Sequence, residues 1–179
     1  MELAYLPDNK QTVKTYKHFS VNSFQANVLA EESPEFFYIG KNTHHIDLMV
    51  EIFEGGYAAE SAVKAISIFT RIIEKKPNYK GVFIFDATLG KEELKMVSNY
   101  LASSETLAKI PLFLEATVLS DKEIAEYRKL SYIDEIITLT QCDEKLIAKV
   151  NFFSRIKDQN NHKDLQKGLH VSQKSMGFT

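Results

Sequence analysis

The feature that most constrains this chain is a repeated alternation of short, wholly apolar runs with amphipathic stretches. Val82-Phe83-Ile84-Phe85 is the clearest run, four large β-formers in succession. Phe36-Phe37-Tyr38-Ile39 is another, closed by Gly40, and Ile110-Pro111-Leu112-Phe113-Leu114 a third, with Pro111 where a missing N–H is tolerated. Ile133 to Ile137 reads as a further strand despite Asp134 and Glu135, and Tyr57 to Val63 as a weak one. Between them lie helical faces: Ile46, Met49, Val50 and Phe53; Ala65, Ile66, Ile68, Phe69, Ile72 and Ile73; Leu94, Val97 and Leu101; and Leu146, Ile147, Val150, Phe153 and Ile156. Thr43 and Asp143 are the expected caps of the first and last helices. Ser120 and Glu123 form a capping box for a helix through Leu130. Gly55-Gly56, by positive φ, and Pro77-Asn78 are the expected stops of the first two helices.

Strands that do not alternate in polarity are buried on both faces. Strand–helix units in series therefore imply right-handed crossovers and a parallel sheet with helices on both sides. The expected fold is α/β, a five-stranded, doubly wound parallel sheet of flavodoxin-like type over residues 35–157. Residues 1–34 form an N-terminal extension, free to cover a sheet edge or dock on a partner domain. Residues 158–179 are polar, lack an apolar face, and read as a flexible linker to a further domain.

Composition narrows the function. A net charge of −2 removes the simplest nucleic-acid binder, which needs a basic face. A single cysteine, Cys142, excludes a disulfide scaffold and a multi-cysteine metal site. No run of apolar length sufficient to span a membrane and no signal peptide is visible, so a cytoplasmic location without direct membrane contact is expected. Phosphate-binding loops, H-E-x-x-H and G-x-S-x-G are absent. His44 and His45 are adjacent. Neighbours on a helix point about 100° apart, so the pair reads as a solvated helix start and not as a metal site. Cys142 has no evident partner for nucleophilic work. Phe152, beside the buried face of the last helix, is assigned to the core.

In sheets of this kind the crevice lies beyond the carboxyl ends of the strands. The residues there are Gly40, Lys41 and Asn42; Asp86 and Ala87; Glu115, Ala116 and Thr117; and Thr138, Leu139 and Thr140.

With those residues placed, the chain resembles the receiver domain of bacterial response regulators across residues 35–157. The resemblance rests on Gly56-Tyr57 before the second strand, Val82 to Asp86 as a third strand ending in the phosphoacceptor, Ile110-Pro111 opening the fourth, Ile133 to Ile137 as the fifth, and the last helix with Glu144, Leu146 and Val150. It implies Asp86 as the candidate phosphoacceptor. It also implies an acidic pair for Mg²⁺ after the first strand, but Gly40, Lys41 and Asn42 stand there, so no cofactor is expected. The family's Ser or Thr after the fourth strand aligns with Ala116, with Thr117 one residue away. Leu139 and Thr140 replace its Lys-Pro. Lys41 is a candidate to pair with Asp86 in place of the metal.

The reading is therefore a non-catalytic, receiver-like regulatory or interaction module of a larger protein. It would act on a protein partner or an attached effector. A membrane-associated sugar transferase is one candidate effector, with no residue behind it. Homodimerisation through the last helix and strand follows from the resemblance. Two alternatives are carried: a phosphorylation-dependent receiver using Asp86, and a small α/β enzyme using Asp86, Glu115 and Lys41.

Overall fold

Phe36, Phe37, Tyr38 and Ile39 have no solvent-accessible surface in the computed structural model, as a strand covered on both faces requires. The structure describes residues 15–17, 33–140 and 145–174, with side chains for 33–140 and 145–160. Five parallel strands make the sheet: β2 (Glu35–Ile39), β3 (Gly55–Ala59), β4 (Gly81–Asp86), β5 (Leu112–Glu115) and β6 (Glu135–Ile137), in the order β3-β2-β4-β5-β6. A short β1 (Thr15–Lys17) lies antiparallel on the outer edge of β3. Part of the N-terminal extension thus covers a sheet edge.

The period-two alternation of each strand divides the core. Phe37, Ile39, Phe83, Phe85, Leu112 and Leu114 face α2 (Ala62–Lys75), α3 (Lys91–Leu101), α4 (Glu105–Ala108) and α5 (Asp121–Tyr127). Phe36, Tyr38, Val82, Ile84 and Phe113 face α1 (Thr43–Ile52) and α6 (Lys145–Lys174). The first layer is aromatic. Phe37 and Phe83 stack at 5.0 Å, and Phe69 meets both rings edge-on, at 5.6 and 4.7 Å. Leu94, Val97 and Leu101 are buried as their spacing predicts. The capping box of Ser120 and Glu123 is present.

Several local expectations are corrected. The cap of α1 is Asn42, not Thr43: the Asn42 side chain accepts from the His44 N–H. Gly55-Gly56 does not supply a positive φ. Among the described glycines Gly90 does, at +91°, where a 3₁₀ turn (Ala87–Leu89) hands over to α3. Gly56 is needed for space instead, because a Cβ there would lie 2.3 Å from the Phe36 ring. The helix after Ser120 ends at Tyr127, short of Leu130. Asp143 and Cys142 lie outside the described residues.

The tail is the largest difference. Helix α6 runs on to Lys174 through the stretch read as linker. Residues 158–174 contain no proline and one glycine, and extending an established helix costs far less than starting one. Lys157 anchors the helix, donating to the Ile110 carbonyl at 3.1 Å and pairing with Asp134 at 2.8 Å. Phe152, expected in the core, is 59% exposed, because α6 turns Leu146 and Val150 inward and leaves Phe152 at the side.

Candidate functional site

The strand order reverses between β2 and β4, which places the switch point at their carboxyl ends. Alternation then decides which side chains meet there. Tyr38 follows Phe36 on one face of β2, Asp86 follows Val82 and Ile84 on β4, and Glu115 follows Phe113 on β5. All three point to the α1 side. Asp86 and Glu115 are register partners on adjacent strands. The first turn of α1 sets His45 above them.

The result is a closed polar cluster under the sheet's rim. His45 is 3% exposed, Asp86 3% and Glu115 0%. Both oxygens of Asp86 are engaged. Its Oδ1 accepts from the Thr88 N–H at 2.9 Å and the Thr88 hydroxyl at 2.7 Å, and its Oδ2 accepts from the Tyr38 hydroxyl at 2.8 Å. The Tyr38 oxygen lies 3.1 Å from His45 Nδ1. Glu115 Oε1 accepts from the Thr117 N–H at 2.9 Å, from the Leu139 N–H at 3.2 Å, and from the Thr117 hydroxyl. Its Oε2 lies 3.6 Å from His45 Nδ1 and has no hydrogen-bond partner.

The proton positions follow from the cap. Asn42 Oδ1 is committed to the His44 N–H, so its amide NH₂ faces His45 Nε2 at 3.2 Å. That nitrogen must accept. Tyr38 spends its one hydrogen on Asp86, so the other ring nitrogen, Nδ1, must donate to the Tyr38 oxygen. The arrangement is that of a neutral imidazole protonated on Nδ1. Burial, and then the bond and charge of Asp86, push the Tyr38 phenol far above its ordinary range, which keeps its proton in place.

Gly40 is part of the same design. A Cβ there would lie 2.5 Å from the Asp86 Cβ and 2.6 Å from the Tyr38 hydroxyl. Tyr38 therefore occupies the space that any side chain at position 40 would need. A tyrosine reaching Asp86 and the lack of an acidic residue at 40 are two sides of one packing solution.

The predicted residues fare unequally. Asp86 is at the centre. Asn42 joins through His45, Thr117 and the Leu139 N–H join through Glu115, and Ala116 packs beside them, 1% exposed. Lys41 is exposed and takes no part in the cluster's bonds, so its expected pairing with Asp86 is not present. Lys41→Ala should accordingly change stability by no more than about 0.5 kcal/mol in urea unfolding, as surface substitutions do. Asp86 and Glu115, two members of the enzyme alternative, are adjacent, while Lys41 stands apart. The main correction is His45. It was read as solvated, and His44 is indeed exposed, but His45 is buried against the acids.

Solved structures that match the chain include two signal receiver domains and a response regulator. The signal receiver domain of an HD domain-containing protein from Pseudomonas fluorescens Pf-5 matches with a TM-score of 0.54 at 12% identity, covering 76% of this chain and 98% of that one. The receiver domain of a signal transduction histidine kinase from Syntrophus aciditrophicus gives 0.48 at 15%, over 68% and 90%. The phosphorylated cyanobacterial phytochrome response regulator RcpA gives 0.45 at 16%, over 70% and 91%. The first establishes a receiver-type, flavodoxin-like fold. No protein-family model matches the sequence, and no curated protein matches it.

Proposed function

We propose that this chain is a cytoplasmic, receiver-like signalling module that works through protein contacts, to a partner or an attached effector, and neither catalyses a reaction nor takes a phosphoryl group on Asp86. The state of Asp86 carries this reading. A carboxylate attacks phosphorus only with a free oxygen and with its charge and the incoming charge neutralised. Both oxygens of Asp86 are bonded, and Tyr38 lies across one of them. The Thr117 hydroxyl, one candidate to hold a phosphoryl oxygen, is turned onto Glu115. Position 139, where the family has lysine, contributes a backbone N–H under a buried leucine.

The residues also do not fit Mg²⁺. That ion takes octahedral oxygen coordination and keeps several waters. Gly40, Lys41 and Asn42 offer no carboxylate, and His45, Asp86 and Glu115 are at most 3% exposed, a setting that does not suit an ion keeping several waters. For contacts, the exposed Phe152 and Ile156 of α6 support a protein-binding or self-associating face on the last helix.

Incubation with Mg²⁺ and acetyl phosphate, or with beryllofluoride, tests the reading. The intact mass should show no added phosphoryl group, and amide signals around Asp86 should not move. A saturable response that disappears in Asp86→Asn would establish the phosphorylation-dependent alternative instead.

A further inference from the structure

We propose that His45, Asp86 and Glu115 form a binding site for one divalent transition-metal ion, with Zn²⁺ the best match. Each offers one ligand atom, and these atoms lie within 4.8 Å of one another. Two atoms held tetrahedrally by one ion at about 2.1 Å stand about 3.4 Å apart, so the widest separation must close by about 1.4 Å, shared between two side chains. The His45–Glu115 separation, 3.6 Å, is already in range.

A second observation points into the same space. Glu115 is fully buried and its two oxygens are treated unequally. Oε1 is saturated by Thr117 and Leu139, which fixes the carboxylate, while Oε2 is turned toward His45 with no donor. A buried acceptor left without a partner is costly and rare. A cation between Oε2, Asp86 and the imidazole supplies what it lacks. The cluster's own side chains set two acids against one imidazole, so a dication balances their formal charge.

The surroundings have the form of an outer ligand shell. Metal-binding side chains are usually held through their other polar atom by a neighbour. Thr88 holds Asp86 Oδ1, and the Thr117 and Leu139 N–H groups hold Glu115 Oε1; an ion on His45 Nδ1 moves the ring proton to Nε2, so the Asn42 amide must turn its oxygen to accept it. Asn42, Thr88 and Thr117 are exposed residues, so an ion has one layer of side chains to pass. The donor set selects the metal. Imidazole with carboxylates in a closed, four-coordinate space suits Zn²⁺, and not the oxygen-only, hydrated coordination of Mg²⁺. Tyr38, bonded to two of the three ligands, must yield its place or become the fourth. The site shares Asp86 with the phosphorylation test, but the readouts are separate: Zn²⁺ binding is followed through His45 and Glu115, and the phosphoryl mass through Asp86 alone.

The test is competition between the full 179-residue chain and a chromophoric chelator for Zn²⁺, with Mg²⁺ in parallel. One Zn²⁺ per chain is expected, with Mg²⁺ far weaker, and with one histidine ring signal moving in NMR. Glu115→Gln keeps the Oε1 acceptor and places an amide where Oε2 stands, so the fold should persist by near-UV circular dichroism. Glu115→Gln and His45→Gln should each weaken binding at least about tenfold. His44→Gln and Cys142→Ser should leave it unchanged, which separates this site from adventitious ligands. Absence of Zn²⁺ binding would overturn the proposal, leaving a purely hydrogen-bonded cluster. Equal affinity in folded Glu115→Gln, or Mg²⁺ binding as tightly as Zn²⁺, would also overturn it.

Discussion

Replacing Phe83 by alanine should destabilise the domain by about 3–5 kcal/mol, roughly a 6–20 °C fall in Tm for a domain of this size. Phe83 has no exposed surface and sits on the strand at the centre of the parallel sheet. It stacks on Phe37 and receives the edge of Phe69. Truncation removes the largest part of a three-ring contact that joins β2, β4 and α2, and rigid strand backbones on both sides prevent the gap from closing. Total stability is about 5–15 kcal/mol for most domains, so the loss is a large share. Urea unfolding measures it. A loss under about 1 kcal/mol would show that α2 collapses onto the sheet and that the aromatic layer is not the rigid centre of the fold. Phe152→Ala is the companion, expected within about 0.5 kcal/mol, since that ring is mostly in solvent.

The parts of this protein that were legible in its sequence are those set by local pattern. Phe36 to Ile39 and Val82 to Phe85 are apolar throughout, and nothing but a doubly covered strand accounts for them. The capping box at Ser120 is a contact within four residues, so it is readable as written. The tail misled for the converse reason. A polar stretch carries no mark of docking, and its helicity is inherited from the anchored turns before it. The site was half legible. Asp86 stood out because it ends the strongest strand. His45 did not, because a histidine in the first turn of a helix is normally solvated. Its burial comes from Tyr38, Asp86 and Glu115, which reach it from three strands. One signal was present: on adjacent strands Tyr38, Asp86 and Glu115 share the parity of Phe36, Val82 and Phe113. Reading parity across strands, rather than positions beyond each strand end, would have brought the three polar residues to one face.

Tyr38→Phe tests whether that cluster stabilises the fold. The variant keeps the buried ring and deletes the hydroxyl. Asp86 Oδ2 then loses its donor inside the protein, while His45 Nδ1 retains a potential acceptor in Glu115 Oε2, 3.6 Å away. One buried, charged acceptor is therefore stranded, which costs about 2–3 kcal/mol. A double-mutant cycle with Asp86→Ala separates this pair from the ring's packing. Once the carboxylate is gone, the hydroxyl has nothing to satisfy, so the double variant should lose at least about 1 kcal/mol less than the sum of the singles. Additivity within about 0.5 kcal/mol would mean that the Tyr38–Asp86 bond contributes nothing, and that Asp86 is free to exchange Tyr38 for another partner. In that case the closed-site reading loses its physical basis, whatever the phosphorylation assay returns. Strong coupling gives the reverse: the hydroxyl holds the acid as a fixed structural element, and a ligand competing for Asp86 must first displace Tyr38.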